Sequence, residues 1–132
     1  MNYLDYAATT PVNAEVLEVI TKEMASFGNP SSVYRIGREQ KQKIERVKKA
    51  ILSELQASPH DAIIFTSSGS EGNNLVFESI REHFAKEKGH IIVSAVEHPS
   101  VRKPAEFLEQ EGFDVTYLAP NKDGIVTVSE IE

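Results

Sequence analysis

The sequence contains no cysteine, so it can close no disulfide and offers no thiolate to a metal ion. No apolar run approaches the ~18 residues that a membrane-spanning helix needs. The polar opening Met1-Asn2-Tyr3-Leu4-Asp5 lacks the basic and apolar regions of a signal peptide. These absences lead us to expect a reducing, cytoplasmic location and no membrane partner. Two phosphate-binding signatures are also missing. There is no Gly-Lys-Ser/Thr ending of a Walker loop and no Gly-x-Gly-x-x-Gly dinucleotide fingerprint. Among His60, His83 and His90 no pair has metal-ligand spacing, so each reads as a surface residue and no metal site is expected. The net charge of −6 argues against nucleic acid as the main partner.

What is present is ordinary in bulk. With 132 residues, 40% hydrophobic and 26% charged, the chain is long enough for one domain with a real core. One stretch runs against the acidic balance: Arg35, Arg38, Lys41, Lys43, Arg46, Lys48 and Lys49 face only Glu39 and Glu45. It reads first as the solvated face of a helix, and second as a face that contacts phosphate or a partner.

Local patterns divide the chain without any repeat. Tyr3–Thr10 reads as extended. Asn13 is placed to cap a helix from Ala14 to about Ser26, with Val16, Leu17, Ile20 and Met24 on one face. After the turn-rich Phe27–Ser32, the spacing of Ile36, Ile44, Val47, Ile51 and Leu55 predicts a second helix to about Gln56, broken at Ser58-Pro59-His60. An alternation of strands and helices follows. Strands are expected at Ala62–Thr66, His90–Val96 and Asp114–Leu118. Helices are expected from Glu71 to about Lys86, with Leu75, Ile80 and Phe84 inward, and at Pro99–Glu111, with Pro99 in the first turn and Gly112 closing it. This order predicts an α/β fold with parallel pairing. Near the end, Ser129 reads as an N-cap with Glu130 and Glu132 in the first turn behind it, and we expect the chain to stop within a larger fold.

Two segments carry chemistry. Ser67-Ser68-Gly69-Ser70 follows the apolar run Ile63–Thr66 and opens a helix, which is where α/β proteins hold ligands and where unpaired N–H groups suit an anion. Gly69 allows close backbone approach, and Ser68 and Ser70 add hydroxyl donors. Glu97-His98-Pro99 occupies the equivalent place after the next strand, so His98 is expected to face the same pocket. A strand–turn–helix with a Ser cap and a surface histidine is the plainer alternative. Ser68-Gly69-Ser70-Glu71-Gly72 also approximates the nucleophile elbow of a serine hydrolase, with Ser70 as nucleophile and His98 as base, but Ser68 replaces its first glycine.

Four segments in order, Tyr3–Pro11, Gly28-Asn29-Pro30-Ser31-Ser32, Phe65–Asn74 and Glu97–Val101, resemble the N-terminal part of cysteine desulfurases, pyridoxal-5′-phosphate enzymes of the class V aminotransferase group. The resemblance covers essentially the whole chain. It implies the first part of the fold-type-I transferase fold, with residues 1–12 on the small-domain and active-site rim, 13–58 as N-terminal helices and 59–132 opening the large cofactor-binding domain. It also implies conversion of L-cysteine to alanine with a persulfide left on an enzyme cysteine, a homodimer, and a sulfur-acceptor protein that feeds iron–sulfur clusters or thio-cofactors. Gly69 and Ser70 match the residues that hold the cofactor phosphate. His98 matches the histidine that stacks on the cofactor ring and aids proton transfer. Ala7, Ala8 and Thr9, with Asn29 and Ser31, match loops bordering the substrate.

Three departures qualify the match. Ser68-Gly69-Ser70 stands where the family carries Gly-Ala-Thr, and Tyr34 where it carries a histidine. The Schiff-base lysine, the aspartate facing the pyridine nitrogen and the persulfide cysteine are expected beyond Glu132. The nine lysines present fall on polar helix faces or in turns, without the desolvation or cationic neighbour that such a nucleophile needs. The expectation is therefore a fragment inactive alone. A selenocysteine lyase or other class V enzyme, and a non-catalytic phosphate-binding remnant, stand as alternatives.

Overall fold

The computed structural model describes residues 2–58 and 60–131. The expected helix breaker Pro59 and the expected first-turn acid Glu132 lie outside the described residues. The chain divides into two compact units, Met1–Ile63 and Ile64–Glu132.

The first unit holds α1 (Ala14–Met24) and α2 (Arg35–Glu54). Asn13 caps α1 as its chemistry predicts, its Oδ1 accepting from the Glu15 amide at 2.8 Å. Glu15 in the first turn and Lys22 in the last complement the helix dipole. Tyr34 occupies the N-cap of α2 but supplies no capping hydrogen bond. The loop between the helices is ordered by Asn29, whose side chain accepts from the Ser31 amide at 2.9 Å and whose carbonyl accepts from Ser32 N–H. Gly37 of α2 is buried against this loop, so close that an added Cβ would strike the Ser32 hydroxyl and the Asn29 carbonyl. Lys43 reaches from α2 to α1, with Nζ 2.6 Å from Glu23 Oε2 and 3.1 Å from Ser26 Oγ. The remaining basic run is largely solvated: Arg38, Lys41, Arg46 and Lys49 are exposed. Among the described residues of this unit no hydrophobic side chain is buried; Val16, Leu17, Ile20 and Met24 all stand in solvent.

The second unit contains α3 (Gly69–His83), β1 (His90–Ser94), α4 (Pro99–Gln110), β2 (Asp114–Leu118) and a 3₁₀ turn at Val128–Glu130. β1 and β2 pair in parallel, in register from His90 with Asp114 to Ser94 with Leu118. α4 is the crossover between them and packs on both strands and on α3. The core forms where it meets the sheet: Val93, Ala105, Leu108 and Phe113 are buried. Gly112, at φ +94, ends α4. Its N–H bonds the Glu109 carbonyl while the Phe113 N–H reaches back to Leu108, the paired bonds of a Schellman motif.

Three expectations are corrected here. Ala62–Thr66 is extended but belongs to no strand, and the sheet has two strands among the described residues. The run is apolar enough for a buried strand, but no neighbouring strand bonds it, and Ile64 and Phe65 are 70% and 57% exposed. Leu75 of α3 and Phe84 at its C-cap are also exposed rather than inward. The cap near the end is Thr127 rather than Ser129. Thr127 and Glu130 form a reciprocal capping box, with the Thr127 amide donating to Glu130 Oε2 at 2.7 Å, and a 3₁₀ turn follows.

Candidate functional site

Ser68 is the N-cap of α3, in extended backbone, and its Oγ accepts from the Glu71 amide at 3.2 Å. The Glu71 carboxylate turns back past the cap to Ser67, accepting from the Ser67 amide at 2.5 Å and the Ser67 hydroxyl at 2.6 Å. The Ser67 side-chain bond, and then its backbone bond, hold the Glu71 carboxyl below the usual glutamate range. Thr66 Oγ1 donates to the Ser68 carbonyl at 3.0 Å and stiffens the turn from the other side.

These bonds consume the N–H groups of Ser67 and Glu71 but not those of Gly69 and Ser70. Neither the Gly69 nor the Ser70 amide donates a hydrogen bond among the described residues, and the Ser70 hydroxyl has no partner there either. A Cβ built on Gly69 meets nothing within 4 Å, so the backbone at that point is open to a ligand. Two adjacent free N–H groups at the positive end of a 15-residue helix, beside a free hydroxyl, can accept an anion. The Glu71 charge opposes an anion there, and its hydrogen bonds tie it to Ser67.

His98 is the N-cap of α4. Its Nδ1 lies 3.1 Å from the Ser100 amide and 2.8 Å from Ser100 Oγ, which in turn is 2.9 Å from Asn73 Nδ2 on α3. Ser70 and His98 both border an open groove of about 480 Å³ between α3 and α4, also lined by Asn74, Ser100 and Lys103. Ser70 and His98 thus meet at one groove, whereas Gly69 is not among the residues that line it. No hydrogen bond links Ser70 Oγ to His98 among the described residues, so the nucleophile–base pair of a hydrolase elbow is not formed.

Sequence reasoning missed Asn73, Ser100 and Lys103. Lys103, expected on a polar face, lines the groove, although its ammonium is exposed and paired with Glu106 Oε2 at 2.7 Å. The other histidines remain exposed; His90 Nε2 meets Thr116 Oγ1 across the sheet at 2.8 Å. Among the described residues no group of three or more His, Cys, Asp or Glu is arranged for a metal ion. Ala7 and Ala8 lie in a turn closed by the Ala8 amide on the Asp5 carbonyl. Thr9, Asn29 and Ser31 belong with them to the first unit.

The chain is similar to known proteins along nearly its whole length. A cysteine desulfurase of Dictyoglomus turgidum is 41% identical over 131 residues, which are 98% of this chain and 33% of that protein. The mitochondrial cysteine desulfurase of Eremothecium gossypii is 38% identical over 98% of this chain and 27% of its own. Among solved structures, one described as SspA in complex with cysteine superposes with a TM-score of 0.90 at 38% identity, covering 99% of this chain and 38% of that one. The chain thus spans about a third of the length of the curated relatives it matches. The family described as aminotransferase class-V matches residues 2–132, and with the α/β framework and the relatives above it fixes the assignment: this chain belongs to the class-V aminotransferase family.

Proposed function

We propose that the chain is the N-terminal portion of a pyridoxal-phosphate-dependent cysteine desulfurase, an enzyme that takes sulfur from L-cysteine, leaves alanine and stores the sulfur as a persulfide. The observation that carries this reading is the pair of free N–H groups at Gly69 and Ser70, beside the free Ser70 hydroxyl, at an open helix N-terminus. Those three donors bind the cofactor phosphate. When bound, pyridoxal phosphate supplies the electron sink that weakens the bonds of an amino-acid substrate. His98 takes the ring-facing, proton-handling position, and the loops at Ala7–Thr9 and Asn29–Ser31 form the substrate rim.

On this reading residues 1–12 belong to the small-domain rim, 13–58 to the N-terminal helices and 59–132 to the start of the cofactor-binding domain. The whole enzyme acts in a reducing, cytoplasmic setting as a homodimer and passes sulfur to an acceptor protein for iron–sulfur clusters or thio-cofactors. The identities to cysteine desulfurases of about two-fifths support that substrate.

The test is a titration of the isotope-labelled chain with pyridoxal phosphate, followed by the amide signals of Gly69 and Ser70. Both are expected to move, and Ser70→Ala should weaken binding by roughly tenfold, as loss of one hydrogen bond to a charged group does. Shifts confined to other residues, or equal affinity in the Ser70→Ala chain, would overturn the assignment.

A further inference from the structure

The polar chain that ends at His98 has a direction, and the direction follows from one bond. The Ser100 backbone N–H, 3.1 Å from His98 Nδ1, can only donate. Nδ1 must therefore present its lone pair. Ser100 Oγ, 2.8 Å from the same nitrogen, then has to give its hydroxyl proton to it. With that proton committed, the oxygen faces Asn73 as an acceptor, so the Asn73 group 2.9 Å away is its Nδ2 amide. An exchange of the Asn73 oxygen and nitrogen would set two acceptors against each other. The three contacts have one consistent solution.

We propose that Ser100 and Asn73 are positioning residues that hold the His98 ring in a single orientation and tautomer, with Nδ1 as acceptor and Nε2 carrying the proton. Two donors on Nδ1 leave Nε2–H as the only ring N–H that His98 offers to a ligand, and they fix the direction in which it is offered. The anchor is rigid because its parts come from two packed helices: Asn73 and Ser100 are half-buried between α3 and α4 while the imidazole itself is exposed. Asn73 also belongs to the first turns of α3, four residues beyond Gly69. One hydrogen-bonded path thereby joins the helix that presents the anion-binding donors to the histidine. The proposal rests on the cofactor reading only for the identity of the ligand that Nε2–H meets; the tautomer is a property of the chain alone.

Nitrogen NMR of the four histidines in the ligand-free chain tests it, at about pH 8.5, two units above the ordinary histidine value of about 6.5. His98 is expected to show a protonated Nε2, an unprotonated Nδ1, and a through-hydrogen-bond coupling between Nδ1 and the Ser100 amide. Ser100→Ala should move the Nδ1 resonance to higher frequency through loss of one donor, Asn73→Ala should move it less, and Ser100→Thr should restore it. Because Asn73→Ala leaves the α4 cap untouched, it carries the test should Ser100→Ala disturb the helix. A purely structural cap would leave Nδ1 indifferent to the hydroxyl. A proton on Nδ1 in the wild-type chain, or an Nδ1 signal unmoved by both alanine variants, overturns the proposal. The pyridoxal phosphate titration is a separate measurement, so failure of the cofactor reading leaves the nitrogen spectrum as expected, and failure of the tautomer assignment leaves phosphate binding as expected.

Discussion

The two units carry the same kind of sequence pattern with opposite outcomes. α1 and α4 are both amphipathic helices of similar length. α4 lies on a sheet and buries Ala105 and Leu108, while α1 buries nothing and leaves its whole apolar face in solvent. What the first unit has in place of a core is a set of polar ties: the Asn29 turn, the seat of Gly37, and Lys43 bound to Glu23 and Ser26. Periodicity specifies which face of a helix is ready to be covered. Coverage itself needs a second layer, and in the second unit β1 and β2 provide it.

The sharpest way to break this contrast is to truncate one leucine in each unit. Leu108→Ala, at a position 2% exposed, is expected to cost about 2–5 kcal/mol in denaturant unfolding. Leu17→Ala, at 55% exposed, should stay within about 0.5 kcal/mol. Equal losses would mean that α1 is covered after all. Next in size is Gly37→Ala. Alanine favours helix, yet its methyl has no room beside Ser32 and Asn29, so a net loss of roughly 1–3 kcal/mol is expected. Hydrogen exchange should report it as earlier opening of the first turns of α2, with α4 unaffected.

A smaller effect is expected from acid. Because hydrogen bonds from Ser67 hold the Glu71 carboxyl below its usual value, the clamp contributes fully above the ordinary glutamate pKa of about 4.3 and is lost as pH falls through the lowered value. Amide exchange at the start of α3 should therefore quicken in that window, and Glu71→Gln should remove the pH dependence. A pH-independent wild type would dismiss the clamp. Smallest of all, Lys43→Met should lower the melting temperature slightly, by an amount that shrinks with added salt, since Lys43 and Glu23 are both partly exposed.

What could be read from the sequence followed from residues whose chemistry names their place. Asn13 as a cap, Pro99 in a first turn and Gly112 as a helix stop are local facts, and the helices they mark lie within a few residues of expectation. The open helix start at Ser67–Ser70 is legible for the same reason, as it is continuous in sequence. The run Ala62–Thr66 was overread because an apolar stretch announces burial without naming a pairing partner. Near the end of the chain the spacing Thr127-x-x-Glu130 is itself a capping-box signal visible in the letters, and it outweighs Ser129. Asn73 and Ser100 could not be found in that way, since 27 residues separate them and their meeting depends on how α3 packs against α4.

The turn at Gly112 has a consequence in time. The residues that stop α4 also set the first residue of β2, so closing that turn fixes which amide of β2 meets β1. A slip of one position would turn Asp114 and Thr116 to the side now taken by Val115 and Tyr117. Because the strand, crossover and turn involved are contiguous in sequence, the loop entropy of assembling them is modest, and this segment is expected to be the folding nucleus of the chain. Replacing Gly112 would then slow folding more than it speeds unfolding.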